Sequence, residues 1–266
     1  MADFEYKDCY NVQDLVEIMR ILRSPGGCPW DAEQTHESIK KNLIEETYEV
    51  IEAINKDDKE LLCEELGDLL MQVVFHAQME QEAGQFDFDA VSDGVCKKLI
   101  ERHPHVFGDV SISGVDDVLT NWDAIKRKTK KQKTTTQSML SVPRELPALM
   151  RATKLQKKAA DVGFDWSEVT GALDKLEEEI GELRQAISNN DKDNMAEELG
   201  DILFSAVNVS RFIKTDAEEA LTAASDKFLS RFTEVEKLAA ERNVDMKSVG
   251  IDELDKLWDE AKANKI

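Results

Sequence analysis

The chain has 266 residues, with 34 Lys and Arg against 55 Asp and Glu, and a formal net charge of −21 at pH 7. Such an acidic chain is a poor partner for nucleic acid or for an anionic membrane, because phosphate groups are bound through clustered Lys and Arg. No segment approaches the roughly 18 apolar residues of a membrane span. We therefore expect a cytoplasmic protein that binds neither nucleic acid nor membrane.

The first half of the chain carries apolar residues at helical spacing. Its first helix is expected to end at Ser24-Pro25-Gly26-Gly27, and the next two form a helical hairpin. The loop before that hairpin carries Trp30, for which packing in the core and lining of a ligand pocket are both open. The predicted helices cover about 12–23, 36–55, 59–82, a segment ending near Arg102, and 115–126.

A change in composition divides the chain near its middle. Residues 126–138 are basic and then rich in Thr, without one apolar residue. We predict a linker over 127–142, between an N-terminal unit at 1–126 and a C-terminal unit at 143–266. No alternating strand pattern is found, so the expected fold is all-α. The helices predicted for the second unit cover about 143–161, 168–188, 193–213, 216–242 and 252–262.

An acidic motif on the hairpin occurs twice, and the second copy repeats the first with a shift of 133 positions. Since 55 of 266 residues are acidic, one copy would be weak evidence, whereas repetition in register is strong. The chain is therefore interpreted as a tandem repeat of two helical units, each built on an acidic hairpin. The repeated acids are Glu45, Glu46, Glu49, Glu64, Glu65 and Asp68, matched by Glu178, Glu179, Glu182, Glu197, Glu198 and Asp201.

The spacing of these acids gathers them beside the apolar face of the hairpin. At about 100° per residue, Glu45, Glu46 and Glu49 lie within one arc of their helix. Glu65 and Asp68 are one turn apart on the facing helix. Crowded carboxylates repel one another, and an all-oxygen donor set suits Mg²⁺ or Mn²⁺. No histidine stands three residues after a motif glutamate, as a di-iron site would require. The alternative is a solvated acidic face without a metal.

Binding of a phosphate substrate also requires cationic side chains. Lys227 and Arg231 are one helical turn apart, and Lys98 and Arg102 have the same spacing in the first copy. Such pairs are also common on protein surfaces without any ligand. Trp258 either stacks on a base or anchors the last helix. These residues are candidates for the part of the site that binds nucleotide.

The acidic signature closely resembles that of the MazG family of nucleoside triphosphate pyrophosphohydrolases. Glu-Glu-x-x-Glu stands at 45–49 and 178–182, and Glu-x-x-Asp follows at 65–68 and 198–201. The tandem arrangement and the segment Gly27-Cys28-Pro29-Trp30-Asp31 are also similar to the two-domain bacterial members of that family. The resemblance covers nearly the whole chain.

This resemblance implies an all-α, Mg²⁺-dependent enzyme that hydrolyses NTPs and dNTPs between the α and β phosphates, releasing pyrophosphate. Nucleotide-pool house-cleaning is the implied role. The similar two-domain proteins form intertwined homodimers, and their activity is associated with the C-terminal unit. Carried onto this sequence, the implied metal ligands are Glu179, Glu182, Glu198 and Asp201, with N-terminal equivalents Glu46, Glu49, Glu65 and Asp68. The implied nucleotide-binding residues are Lys175, Glu178, Lys227, Arg231 and Trp258.

Hydrolysis requires an activated water besides the metal. We expect Glu178 or Glu179 to orient or deprotonate that water, as a carboxylate not fully engaged with metal, and we expect the C-terminal set to be the working site. A nucleotide-binding regulatory protein and an acidic helical dimerisation scaffold, both without turnover, stay open. The short helices of each unit are too few to cover the apolar faces of its long hairpin. We therefore expect dimerisation, in which hairpins of two chains form four-helix cores.

Overall fold

The structure, a computed structural model, describes residues 4–110, the single positions 114, 118, 122 and 125, and residues 134–264. Over these residues it is helical and contains no strand, so the all-α prediction is confirmed. The chain falls into two units, Met1–Lys126 and Arg127–Ile266, here called unit 1 and unit 2. None of the described helices is long and apolar enough to cross a membrane.

Unit 1 consists of a hairpin of two long helices with shorter helices before and after it. Most of the helix predicted over 115–126 lies outside the described residues. The described helices of unit 1 are α1 (Val12–Arg23), α2 (Pro29–Glu33), α3 (Lys40–Asn55), α4 (Lys59–Glu82), α5 (Phe88–Arg102) and α6 (Pro104–Phe107).

Unit 2 repeats the hairpin and places a long helix after it. Its described helices are α7 (Thr135–Leu140), α8 (Ala148–Ala160), α9 (Val169–Asn189), α10 (Lys192–Phe212), α11 (Ala217–Glu241) and α12 (Ile251–Ala263).

The predicted linker over 127–142 differs from the structure in its second part. Helix α7 lies within it, and Ser138 and Val142 are buried in unit 2. Thr134 begins this helix with a capping box, because its hydroxyl accepts from the backbone N–H of Gln137 at 3.1 Å. The Thr-rich part of this stretch therefore contains the start of a helix. Residues 126–133 lie outside the described part of the chain.

Two predicted helices begin later than expected, and local chemistry explains both. Thr35 and Ser38 hydrogen-bond each other's backbone N–H groups through their hydroxyls, which holds residues before α3 in a turn. Pro147 directly precedes α8, and a proline disfavours helical backbone at the residue before it. Of the two interpretations left open for Trp30, packing in the core of unit 1 is excluded in the single chain, because this side chain is exposed.

The turn of the hairpin is built in the same way in both units. Asp57 and Asn190, which are 133 positions apart, both adopt left-handed backbone, with φ of 52° and 55°. The next residue caps the following helix in each case. Asp58 accepts from Leu61 N at 3.1 Å, and Asp191 accepts from Asn194 N at 3.2 Å. This shared turn fixes the register in which the two acidic helices face each other.

Each unit buries a small apolar cluster. In unit 1 the cluster joins α1 and α4, and in unit 2 it joins α11 and α12. Val74 and Val207 occupy equivalent positions on the second hairpin helix, and each is 1 % exposed. The buried members are Met19, Ile39, Val74, Phe75 and Met79 in unit 1, and Val235, Leu238, Ala239, Leu257 and Ala261 in unit 2.

Val207→Ala is expected to lower the free energy of unfolding by about 2 kcal/mol, because it removes two buried methyl groups and leaves a cavity. Denaturation by urea, followed by circular dichroism, measures the change. Val162→Ala removes the same atoms from an exposed loop residue and is expected to change the free energy by less than about 0.5 kcal/mol. Equal effects of the two substitutions would contradict the described packing.

Candidate active site

In unit 2 the hairpin brings three carboxylates together. Glu179 and Glu182 lie one turn apart on α9, and Glu198 faces them from α10. One oxygen of each lies within 4.8 Å of one oxygen of the other two. Glu179 is the innermost of the three, since only 5 % of its surface is exposed. A buried carboxylate needs compensation by hydrogen bonds or positive charge.

Lys175 supplies that positive charge from one turn earlier on α9. Its Nζ lies 2.8 Å from Glu179 Oε1 and 2.9 Å from Glu178 Oε1. The hydrogen bond from Lys175 is the main reason that the pKa of Glu179 lies below its ordinary value. The same two carboxylates raise the pKa of Lys175, so that the ammonium form is favoured.

The outer carboxylates of this cluster titrate in the opposite direction. A hydrogen bond shared with Glu179 raises the pKa of Glu182. Desolvation raises the pKa of Glu198, and the charges of Glu179 and Asp201 add to the effect. Asp201 is therefore close enough to act electrostatically on the cluster, although it is not one of the three residues with oxygens within 4.8 Å of one another.

Unit 1 contains the equivalent cluster without the lysine. Oxygens of Glu46, Glu49 and Glu65 lie within 4.8 Å of one another. Desolvation raises the pKa of Glu46, and the charges of Asp68 and Glu49 raise it further. A hydrogen bond from Gln72 of α4 opposes that rise. Desolvation likewise raises the pKa of Glu65. The two sites thus hold the same acids in different electrostatic surroundings.

The cationic and aromatic candidates of unit 2 meet on α11 and α12. The guanidinium carbon of Arg231 lies 5.9 Å from the centre of the Trp258 ring, within range of a cation–π contact. The ring of Phe228 lies 5.3 Å from the same tryptophan. Trp258 also packs against the buried cluster of unit 2, so it anchors α12 while its ring contacts Arg231. Lys227 is exposed one turn before Arg231.

In unit 1 the corresponding tryptophan has a different neighbour. Trp122 meets the ring of His103 edge to face, with the ring centres 5.1 Å apart. His103 ends α5, and its Nδ1 lies 2.6 Å from Leu99 O. A histidine in this role stabilises the end of a helix. The aromatic partners of the two tryptophans have therefore diverged between the units.

The sequence pattern missed two residues that the structure places at these sites. Gln72 of the facing helix acts on the pKa of Glu46, and Phe228 contacts Trp258. Gln72 was detectable as a mismatch in the repeat, since Ser205 stands 133 positions later. The same comparison sets Asn42 against Lys175. Comparing the positions at which the two copies differ therefore identifies neighbours of the acid clusters that the repeated acids alone do not identify.

The donor set of both clusters fits a hard divalent cation. Carboxylate oxygens are the ligands that Mg²⁺ and Mn²⁺ prefer, and the three gathered acids of each cluster come from two facing helices. Desolvation raises the pKa values of Glu198 and Glu65, and the charges of neighbouring carboxylates raise them further. A divalent cation held there would offset those charges.

Comparison with protein families gives a match to the MazG nucleotide pyrophosphohydrolase domain over residues 34–107 and again over residues 168–236. The chain belongs to the MazG family. The two matched segments contain the two acidic hairpins, so the tandem repeat of MazG-like units is confirmed together with the family. The family is one of enzymes that hydrolyse phosphoric anhydrides.

Curated MazG-family relatives align over nearly the whole chain. A nucleoside triphosphate pyrophosphohydrolase of Escherichia coli K12 is 45 % identical over 260 residues, which cover 96 % of this chain and 98 % of the relative. A nucleoside triphosphate pyrophosphohydrolase/pyrophosphatase MazG of Thermotoga maritima is 44 % identical, covering 94 % and 95 %. The uncharacterised YabN of Bacillus subtilis is 49 % identical over 92 % of this chain but only 50 % of its own length.

In the metal-free protein, Glu179 is expected to titrate below and Glu46 above the ordinary carboxyl range. Carboxyl ¹³C NMR of protein labelled at Glu, assigned with Gln variants, measures both. Lys175→Gln should raise the pKa of Glu179 and leave Glu46 unchanged. Since the folded pKa of Glu179 is lowered, its contribution to stability is present above the ordinary carboxyl pKa and lost as pH falls through the lowered value. Coincident titration of the two acids would contradict the described contacts.

Proposed function

We propose that the protein hydrolyses nucleoside triphosphates and deoxynucleoside triphosphates at the α–β phosphate bond, as part of nucleotide-pool house-cleaning. Water and the triphosphate would give a monophosphate and pyrophosphate. The observation that carries this proposal is the cluster of Glu179, Glu182 and Glu198 with Lys175 bound beside it. The cluster combines carboxylate oxygens that could hold a divalent cation with an ammonium group that could bind phosphate. The names of the relatives support the reaction.

The proposed metal ligands are Glu179, Glu182, Glu198 and Asp201. Mg²⁺ is the proposed ion and Mn²⁺ an alternative, because both prefer oxygen donors. When bound, the ion would neutralise phosphate charge and polarise the α-phosphoryl group. Asp201 joins the set because its charge acts on Glu198 and because it lies one turn after Glu198 on α10.

Three cations and one ring are proposed to bind the nucleotide. Lys175 already bridges two carboxylates, so its ammonium group lies at the cluster. That group could exchange a carboxylate partner for a phosphate oxygen of the nucleotide. Lys227 and Arg231 would contact phosphates further from the metal. Trp258 would border the base, with Arg231 and Phe228 limiting the positions that its ring can take.

Glu178 is the better candidate of the two expected catalytic carboxylates for activating water. It is exposed, whereas Glu179 is buried within the metal cluster. In the proposed step the water oxygen bonds to the α-phosphorus while its proton passes to Glu178. The bond between the α-phosphorus and the bridging oxygen breaks, and pyrophosphate leaves with that oxygen. Glu179 would then act as a metal ligand and not as the base.

Glu179→Ala is expected to lower kcat for pyrophosphate release by at least about 100-fold, since it removes a ligand that stabilises charge in the transition state. Assays with each NTP and dNTP plus Mg²⁺, with products separated and identified, measure this. Glu46→Ala, the matched substitution 133 positions earlier, should retain most of the turnover. Loss of activity in Glu46→Ala together with an active Glu179→Ala would refute unit 2 as the working site.

We also propose that the protein forms a homodimer through the exposed apolar faces of its hairpins. Leu173, Ile180 and Ile187 are exposed at intervals of seven residues on α9, so they form one stripe along that helix. Leu199 and Leu203 are exposed one turn apart on α10. Unpartnered apolar surface of this kind is typical of an interface, and a second copy would complete a four-helix core.

Ile180→Glu is expected to shift a dimer towards monomer at micromolar concentration, because the interface would bury an unpaired carboxylate. Sedimentation velocity of the full chain measures the change. Ile251→Glu, at an exposed isoleucine outside the stripe, is the control and should leave the sedimentation coefficient unchanged. A monomeric wild-type protein would contradict the proposed dimer directly.

A further inference from the structure

Two histidines of unit 1 are joined directly through their rings. Nδ1 of His36, in the segment before α3, lies 2.7 Å from Nδ1 of His76 on α4. The two ring planes are within 5° of parallel. Rings stacked face to face keep their atoms about 3.5 Å apart, so these rings lie edge to edge. One ring therefore donates an N–H to the bare nitrogen of the other.

A carboxylate decides which ring nitrogens carry protons. Glu80 Oε1 lies 2.7 Å from His36 Nε2, and an ionised carboxylate can only accept, so this nitrogen carries a proton. A second proton forms the bridge between the two Nδ1 atoms. Nε2 of His76 then has no proton, and it is buried without a hydrogen-bond partner among the described residues. Two protons thus complete the chain from Glu80 through His36 to His76.

A third proton has no favourable position in this histidine pair. At His76 Nε2 it would create a buried N–H without an acceptor, which is unfavourable. At the bridge it would turn two N–H groups against each other and break the hydrogen bond. Desolvation lowers the pKa of His76, and the charge of His36 lowers it further. Uptake of a proton therefore opposes the contact between the two rings.

The segment between α2 and α3 is anchored on both sides of His36. Before it, Nη1 of Arg23 donates to Gln34 O at 3.2 Å, and the same guanidinium pairs with Glu82 of α4 at 2.9 Å. After it, Ile39 is 2 % exposed in the buried cluster of unit 1. Neither anchor titrates near neutral pH, because a guanidinium stays protonated and isoleucine is apolar. The contacts of His36 with α4 are therefore the pH-dependent part of this attachment.

The other groups around this segment carry little charge towards the pair. Glu37 is exposed and pairs with Lys40 of α3 at 2.7 Å. Helix α5 contributes the apolar Phe88 to the cluster that α1 and α4 share. Among the carboxylates that the structure describes, Glu80 is the one that is hydrogen-bonded to the pair. Its charge is expected to set the pH at which the pair takes up a proton.

Unit 2 differs at all three matched positions. The positions 133 residues later hold apolar side chains, namely Val169, Val209 and Ile213. Apolar side chains do not titrate, so unit 2 is an internal control for any pH dependence in the equivalent part of unit 1.

We propose that His36, His76 and Glu80 form a proton-sensitive latch that holds the turn at 35–38 against α4. Above the pH at which the pair takes up its third proton, the bridge between the Nδ1 atoms keeps the latch closed. Below that pH the bridge breaks, and the turn detaches between its two anchors. The turn leads into α3, so its release loosens the start of the helix that carries two acids of the unit 1 cluster. The proposal does not depend on the function proposed for unit 2.

Ring ¹⁵N NMR of the full-length protein, labelled at histidine, tests the bridge. The chain has four histidines, and His36→Gln and His76→Gln assign the two signals of the pair. Both rings should change over the same pH range, below the ordinary histidine pKa of about 6.5, because they share one proton. His103 and His105 lie outside the latch and are the control signals. Since the folded pKa of His76 is lowered, its contribution to the closed turn is present above the ordinary value and lost as pH falls through the lowered one.

Hydrogen exchange measured by mass spectrometry tests the release of the turn. Exchange at 34–39, corrected for the intrinsic pH dependence of the reaction, should accelerate by at least about 10-fold as pH falls through the histidine transition. The matched residues 167–172 of unit 2 should show no such step. A variant that combines His36→Gln with His76→Gln should lose the step in unit 1, because neither position can then titrate.

Glu80→Gln separates a titrating latch from a merely structural contact. Glutamine keeps an acceptor oxygen for His36 Nε2 but removes a negative charge beside the pair, so the transition should move to lower pH. Glu37→Gln removes an exposed carboxylate from the same turn and should move the transition by less.

Independent titration of His36 and His76 at the ordinary histidine value overturns the proposal. An unchanged exchange rate at 34–39 across the transition also overturns it, and this measurement needs no variant, so it decides the proposal even if a substituted protein does not fold. A transition that stays at the same pH in Glu80→Gln would assign the pH dependence to other groups and refute the latch.

Discussion

The repulsion among carboxylates gathered on one helical hairpin is the constraint on which the structure of both units depends. The hairpin turn at Asp57 and Asn190 fixes the register of the facing helices, and that register brings three acids to within 4.8 Å of one another. Such crowding is unfavourable unless positive charge or hydrogen bonds offset it. In unit 2 the ammonium of Lys175 lowers the pKa of Glu179, whereas in unit 1 desolvation and neighbouring carboxylates keep the pKa of Glu46 raised. The same backbone therefore supports two electrostatically different sites.

Much of the fold was predictable because helical periodicity and repetition act over long stretches of sequence. The second hairpin helix of unit 1, over 59–82, was predicted with the bounds that the structure has, since Asp58 provides a helix cap and the apolar stripe is continuous. The start of α3 and the helix α7 were not predictable in this way, because hydroxyl side chains at Thr35, Ser38 and Thr134 decide them locally. Weak local hydrogen bonds leave no periodic signal.

The acid clusters were predictable for a similar reason, while the contacts around them were not. Two acids one turn apart on a helix must share a face, so Glu179 and Glu182 could be placed together from spacing alone. The contact between Gln72 and Glu46 depends on how two helices are rotated against each other, and sequence spacing within one helix does not report that rotation. The same holds for Arg231 and Trp258, which lie on different helices.

The position of Lys175 has a thermodynamic consequence for the order of binding at unit 2. The ammonium of Lys175 would compete with a cation for Glu179 and, if released from that carboxylate, would be available to a phosphate group. Coupling between two ligands is reciprocal, so a nucleotide that strengthens metal binding is itself bound more strongly when metal is present. At unit 1, where Asn42 replaces the lysine, that coupling has no equivalent charge to transmit it.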